Sequence, residues 1–204
     1  MRKQRNGGAP LRVDVRRDRE QSRADFVRIV WPLVRDQCRE LRGSTLRMVE
    51  GLPQNPIADD LDIDAGIDAY QRTPWGLRGM SSRVQWWKNY QTFTVRSQRS
   101  NGSRTEYGKR LATIKHLNEG FLYPYWTIQA YLERPGGTLL SVAVARTVEL
   151  YGYIEQRKQS GRPCRERRAG SGGEWFLCVE WKQYRQTGND LFVSPSLIEA
   201  TSPP

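Results

Sequence analysis

The sequence has no long hydrophobic run, one histidine and three cysteines among its 204 residues. No stretch approaches the roughly 18 consecutive apolar residues that identify a membrane-spanning helix. The basic N-terminus has no apolar segment behind it, which argues against a secretory signal peptide. We therefore expect an intracellular, cytoplasmic protein that has no membrane partner.

Cysteine and histidine are too few for the commonest metal and nucleophile sites. The number of cysteines is odd, and no spacing among Cys38, Cys164 and Cys178 fits a zinc site. Because His116 is the only histidine in the sequence, any Cys/His zinc site or Ser–His–Asp triad would have to use it. The cysteine usage indicates a reducing compartment.

Positive charge is what the sequence has in excess. It contains 33 Lys and Arg against 22 Asp and Glu, which gives a formal net charge of +11. Such a basic balance is typical of nucleic-acid-binding domains, and arginine, which forms bidentate contacts with phosphate, dominates the basic set. We therefore expect nucleic acid as the partner, with DNA favoured over RNA. The alternatives are an acidic protein and an anionic membrane surface.

Apolar periodicity predicts an α/β (α+β) fold with a mixed sheet flanked by helices. Ser22 and Asp25 have the spacing of a capping box, and apolar residues follow at helical intervals from Phe26 to Leu41. Pro32 should kink this helix or begin it. The other predicted elements are strands over 61–70, 82–87, 92–97, 123–133 and 174–184, a basic helix over 104–117, and a strand-to-helix segment over 138–155.

The order of these elements predicts one domain with an α-β-β-β-α-β-like core. The segments 82–87 and 92–97 should form a hairpin. We expect residues 1–20 to be a flexible basic arm, residues 21–184 to be the single α/β domain and residues 185–204 to be a C-terminal tail.

Five aspartates lie between positions 59 and 68 of this basic chain. If 61–70 is a strand, Asp60, Asp62, Asp64 and Asp68 share one face, because side chains alternate along a strand. A divalent cation would relieve their repulsion, and hard cations such as Mg²⁺ bind carboxylate oxygens. The alternative is an exposed acidic loop that pairs with the chain's own arginines.

The segment that contains Ile67-Asp68-Ala69 and the triplet Arg83-Val84-Gln85 resembles the PD-(D/E)xK nuclease superfamily. The resemblance covers about the first two-thirds of the chain. It implies an α-β-β-β-α-β core and Mg²⁺-dependent hydrolysis of phosphodiesters. It also implies that Asp68 is a metal ligand and that Gln85 orients the attacking water.

The triplet departs from the family pattern at its first and last positions. At the last position Gln85 stands where the family has lysine, although its amide can still orient a water. Arg83 stands where the family has a carboxylate, so a further acid, Asp64 or Glu50, would have to complete the site. A second E-x-K triplet, Glu180-Trp181-Lys182, lies on the last predicted strand. We interpret it as a surface ion pair, since strand residues two apart share a face.

Basic and aromatic residues are interleaved between positions 83 and 110. Arginine and lysine neutralise phosphates, and exposed aromatic rings stack on unpaired bases. Of the adjacent Trp86 and Trp87, we expect one inside the fold and one outside. The predicted nucleic-acid-binding residues are Arg83, Trp86, Lys88, Arg96, Arg99, Arg104, Lys109 and Arg110.

Two functions are consistent with these features. The first is a nucleic-acid-binding, Mg²⁺-dependent nuclease-like protein, which the acidic cluster favours because a pure binder has little reason to place carboxylates beside phosphate. The second is a non-catalytic DNA- or RNA-binding or accessory protein of a phage or mobile element, which the missing carboxylate at position 83 favours.

Overall fold

The structure is a computed structural model that describes residues 15–49, 61, 65–74, 76–99, 105–169 and 173–195. These residues form a mixed α+β fold, as predicted. The helices are α1 (Val15–Asp25), α2 (Trp31–Gln37), α3 (Glu106–Lys115), α4 (Thr147–Gln159) and α5 (Trp181–Gln186). The strands are β1 (Thr45–Met48), β2 (Ala69–Thr73), β3 (Gly76–Trp86), β4 (Thr92–Gln98), β5 (Pro124–Leu132), β6 (Leu139–Arg146), β7 (Arg165–Arg168), β8 (Trp175–Glu180) and β9 (Leu191–Ser194).

The strands form a large mixed sheet and a small antiparallel sheet. The large sheet has the order β1-β2-β3-β5-β6-β9, and the small sheet has the order β4-β8-β7. In the large sheet β3 and β5 are parallel, with β4 and α3 in the connection between them, and the other neighbouring pairs are antiparallel. The crossover that a parallel pair requires is thus supplied by α3.

The large sheet separates two hydrophobic clusters, and the alternation of β6 shows how. Val142 and Val144 face one cluster, which the N-terminal helices cover with Phe26 and Val34. Ala143 and Ala145 face the other cluster, which is formed by side chains of α4, α5 and the small sheet. Since successive strand residues point to opposite faces, both sides of this strand are apolar.

The N-terminal helix starts earlier than the sequence predicts. α1 begins at Val15, inside the segment 1–20 that we expected to be an arm; residues 1–14 lie outside the described residues. The segment 15–25 contains neither glycine nor proline, so nothing in its composition interrupts a helix. Ser22 therefore lies inside the helix and does not cap it.

Pro32 acts as predicted, close to the start of a new helix. The chain leaves α1 through a π-helical turn, Phe26–Val30, and enters α2 with Pro32 in its first turn. Proline is tolerated there because a first-turn N–H has no partner within the helix. The turn keeps Phe26, Val30 and Val34 buried against the sheet.

The predicted hairpin of 82–87 and 92–97 is wrong. Both segments are strands, but β3 lies in the large sheet and β4 in the small one. The loop 87–91 between them contains two non-glycine residues with left-handed φ, Trp87 at +75° and Gln91 at +49°. Its ends are held by hydrogen bonds from Trp87 N–H to Leu132 O and from Trp181 N–H to Gln91 O. This loop redirects the chain into the second sheet.

The predicted strand over 61–70 is also wrong, since β2 begins only at Ala69. Gly66 has a left-handed φ of +55°, which a regular strand does not contain. The Ile67 N–H donates to Leu61 O. The described residues 65–68 therefore do not belong to a strand. Asp60, Asp62 and Asp64 lie outside the described residues.

The C-terminal segments differ from the prediction in two places. β8 ends at Glu180 and α5 follows, because Trp181 and Tyr184 are buried at helical spacing. The segment 185–204, expected to be a tail, contributes β9, which pairs with β6 and adds Phe192 to the core. Residues 196–204 lie outside the described residues.

Within the described ranges, the helices are too short and too polar for any of them to cross a membrane.

Candidate functional site

Asp68 lies immediately before β2 and joins three strands. Its backbone N–H donates to Met80 O, and its carbonyl oxygen accepts from Val49 N–H. Its carboxylate Oδ2 accepts the Ser82 N–H of β3 at 2.5 Å. The side chain is half-buried. Asp68 thus lies just before β2, and one of its carboxylate oxygens already accepts a hydrogen bond from a backbone amide.

The structure does not bring Asp68 and Gln85 together. Gln85 is three residues beyond Ser82 on β3, which corresponds to about 10 Å along a strand at roughly 3.3 Å per residue. Gln85 is half-buried at the register position of Tyr131 on β5. The other two predicted ligands, Asp64 and Glu50, lie outside the described residues.

The residues that the structure describes contain no group of three or more His, Cys, Asp or Glu that could hold a metal ion. Two carboxylates near β3 already have partners within the chain. Asp68 accepts a hydrogen bond from a backbone amide, and Glu106 forms an ion pair with the Arg83 guanidinium. Asp68 is therefore the one predicted Mg²⁺ ligand among the described residues, and it is already hydrogen-bonded to a backbone amide.

Arg83 is paired with a carboxylate that the sequence analysis did not single out. Its Nη2 lies 2.9 Å from Glu106 Oε2, in the first turn of α3, and its Nη1 donates to the carbonyl and hydroxyl oxygens of Thr94 at 2.6 and 3.0 Å. Thr94 in turn donates to Gln129 Oε1. Arg83 therefore links both sheets to α3, and it is not a free phosphate contact.

We call Arg83, Thr94, Glu106, Gln129 and Tyr151 the Arg83 cluster. Two buried polar groups of this cluster have no hydrogen-bond partner among the described residues. They are Gln129 Nε2, on a residue that is 2% exposed, and the hydroxyl of Tyr151 on α4. Burial raises the pKa of Tyr151 well above its usual value; Glu106 raises it further, while Arg110 and Arg83 lower it. The Tyr151 hydroxyl is therefore neutral near pH 7, and the charges of Glu106, Arg110 and Arg83 act on its pKa.

Other predicted phosphate contacts also point inward. Arg110 is buried and donates to the carbonyls of Ala65 and Gly66, and a side chain at Gly66 would collide with its guanidinium. Arg96 lies 3.2 Å from Glu174, and burial, followed by Arg83 and Arg99, lowers the pKa of Arg96. Three of the predicted binding arginines therefore hold the fold together.

The adjacent tryptophans divide as predicted, with one inside and one outside. Trp86 packs against the core, and its indole N–H donates to Asp25 at 2.8 Å. Trp87 is 70% exposed. Trp86, which we predicted to bind nucleic acid, is thus turned toward the N-terminal helix, and Trp87 is the tryptophan that a ligand can reach.

The remaining predicted basic residues fall into three groups. Lys88 and Arg99 are exposed, and Lys109 is half-buried on α3. Arg104 lies outside the described residues.

The sequence analysis missed an exposed basic strand. Residues 165–168, Arg-Glu-Arg-Arg, are not among the predicted strands, but they form β7, the edge of the small sheet, and all four are exposed. The Arg167 guanidinium lies 4.9 Å from the ring centroid of Tyr90, in the loop 87–91. Residues 165–168 are all charged, so no alternation of apolar residues predicts a strand there. They form a strand because they pair with β8. We call the following surface residues the basic edge: Trp87, Lys88, Tyr90, Arg165, Arg167 and Arg168.

The three cysteines are free and carry no nucleophilic site. Burial, together with a hydrogen bond to Glu40, raises the pKa of Cys38 to about 12. Burial likewise raises the pKa of Cys164 and Cys178. All three are neutral thiols near pH 7, and only thiolates are effective nucleophiles.

Comparisons with protein-family models, with curated proteins and with solved structures found no match for this chain.

Proposed function

We propose that this protein binds nucleic acid and that the basic edge is the contact surface. The observation that carries the proposal is the position of β7, an edge strand with three arginines that is exposed along its whole length. Its Arg167 lies against the exposed Tyr90, which shares the loop 87–91 with the exposed Trp87. Guanidinium groups neutralise phosphates, and aromatic rings provide faces for bases.

The distribution of arginines supports this surface over the one that the sequence predicted. Arg83, Arg96 and Arg110 are directed at carboxylates or carbonyls of the same chain. A guanidinium engaged in this way would have to break its internal contacts before it could bind phosphate. The basic edge has its cations in solvent, so it binds without that cost.

Binding should weaken steeply as salt is added. If Lys88, Arg165, Arg167 and Arg168 each contact one phosphate, counterion release gives a slope of log K against log salt of about −3 to −4, which corresponds to roughly 60-fold or more between about 50 and 200 mM salt. Fluorescence anisotropy of a labelled oligonucleotide across a salt series measures the slope. Undetectable binding at the lowest salt would end the proposal.

A second candidate function, phosphodiester hydrolysis, is favoured by the order of the elements. Once β4 is assigned to the small sheet, the large sheet is built in the order helix, β1, β2, β3, α3, β5, which is the α-β-β-β-α-β order that the resemblance implies. Asp68 directly precedes β2. Because Asp68 is the one predicted Mg²⁺ ligand among the described residues, we propose no metal-dependent step.

If hydrolysis is a function, Asp68→Asn should lower cleavage by at least about 100-fold, since a carboxylate for acid–base chemistry is lost. Asparagine keeps a carbonyl oxygen for the Ser82 N–H, so the fold and the binding affinity should stay unchanged. The assay is cleavage of single- and double-stranded DNA and RNA with Mg²⁺ or Mn²⁺, with EDTA as control.

Glu180→Gln is the matched control, because Glu180 is exposed at the end of β8 and belongs to the second triplet. Cleavage that survives in Asp68→Asn but is lost in Glu180→Gln would place the chemistry there. Wild-type protein that binds but never cuts would leave nucleic-acid binding as the function.

A further inference from the structure

Trp87 combines exposure with an unfavourable backbone conformation. It is 70% exposed, more than any other large hydrophobic side chain that the structure describes. Its φ of +75° is in the left-handed region, which L-residues with bulky side chains rarely adopt. The N–H of Trp87 donates to Leu132 O at 3.1 Å, which holds the residue at the end of β3. Neither hydrophobic burial nor backbone preference explains a tryptophan at this position, and such outliers concentrate at functional sites.

The surroundings of Trp87 identify the chemistry of its ligand. Lys88 follows it and is exposed, and Tyr90, 43% exposed, carries the Arg167 guanidinium on its ring. The Tyr90 ring also makes an edge contact with the buried Tyr131, with 6.2 Å between centroids. Tyr90 is thus anchored on one side by Tyr131 and contacts the Arg167 guanidinium on the other. An apolar protein surface would leave these cations without partners, whereas a nucleic-acid strand offers phosphates to the cations and base faces to the rings.

We infer that Trp87 stacks on an unpaired base, so that the basic edge binds single-stranded nucleic acid in preference to duplex. This inference rests on the proposed function and specifies its substrate class. Bases within a duplex have both faces covered by their neighbours, so an indole that projects from a short loop reaches only an unstacked base. Phosphate contacts from β7 are available to either form, which makes Trp87 the residue that discriminates.

Phe121 offers a matched control for an exposed aromatic ring. It is 55% exposed and precedes β5, whose first residue pairs with Gly79 of β3. Trp87 follows the other end of β3, so the two rings are separated by about 25 Å at roughly 3.3 Å per residue.

The test measures anisotropy of a labelled oligothymidine and of a labelled duplex of equal length at low salt. Trp87→Ala should weaken single-strand binding about 10-fold, in the range measured for base–aromatic stacking, and change duplex binding by less than about twofold. Trp87→Phe should keep most of the affinity, and Phe121→Ala should behave as the wild type. Trp87→Gly, which removes the backbone conflict, should lose single-strand affinity while its melting temperature stays equal or rises.

The outcomes separate this inference from the proposed function. If the wild type binds both forms and Trp87→Ala binds them equally well, the role of Trp87 is overturned, while the proposal of nucleic-acid binding stands. Wild-type binding to neither form overturns both. If Trp87→Ala and Phe121→Ala lose single-strand affinity to the same extent, the inference is also overturned, because the effect is then not specific to the loop 87–91.

Discussion

Replacing Arg165, Arg167 and Arg168 with glutamate should lower the affinity for nucleic acid by at least about 100-fold at low salt. The three side chains are exposed on an edge strand, so the substitution turns three phosphate contacts into three repulsions. The slope of log K against log salt should fall by about 3, since each phosphate contact contributes roughly one unit. The same anisotropy titration measures both quantities.

The fold should survive this change, because β7 pairs with β8 through backbone hydrogen bonds and buries none of the three side chains. Arg39, Arg42 and Arg72 provide the matched control; they are exposed, and Arg72 lies on β2, in the other sheet. Reversing these three gives the same net charge. If the control weakens binding as much as the β7 variant, total charge and not the basic edge determines affinity.

Replacing Asp25 with alanine should lower the free energy of unfolding by about 3 kcal/mol, since unsatisfied buried donors cost about 1–3 kcal/mol each. Asp25 is 3% exposed. Its carboxylate accepts from the Trp86 indole at 2.8 Å, from the Gly136 N–H at 3.1 Å and from Gln21 at 2.8 Å. It therefore ties α1 to β3 and to the turn between β5 and β6. Urea denaturation followed by circular dichroism measures the loss.

Asp25→Asn should cost less, because its amide oxygen can still accept one of these hydrogen bonds. Asp18→Ala is the control on the same helix; Asp18 is exposed, and its loss removes only a favourable charge near the helix N-terminus, about 0.5 kcal/mol or less. Equal stabilities of Asp25→Ala and Asp18→Ala would contradict the role that we assign to the buried carboxylate.

Asp25 also shows why the local pattern misled the prediction at the first helix. Ser22 and Asp25 have the spacing of a capping box, and that spacing describes only the four residues concerned. Two of the partners of Asp25 are Trp86 and Gly136, 61 and 111 residues away along the chain. A hydrogen bond of this separation leaves no signature in the neighbouring residues. The same limit applies to Arg83, whose partner Glu106 stands on a different element.

The sequence by itself determined the positive charge, the mixed α+β class and the expectation that one of Trp86 and Trp87 lies inside and the other outside, but not which of the two. These properties depend on composition and on the two-residue period of a strand. Tertiary structure alone decided that β3 and β4 enter different sheets, that a run of arginines becomes the edge strand β7, and which arginines remain in solvent. The physical reason is that strand pairing and ion pairing join residues far apart in the chain, so the partner, and not the local sequence, determines the outcome.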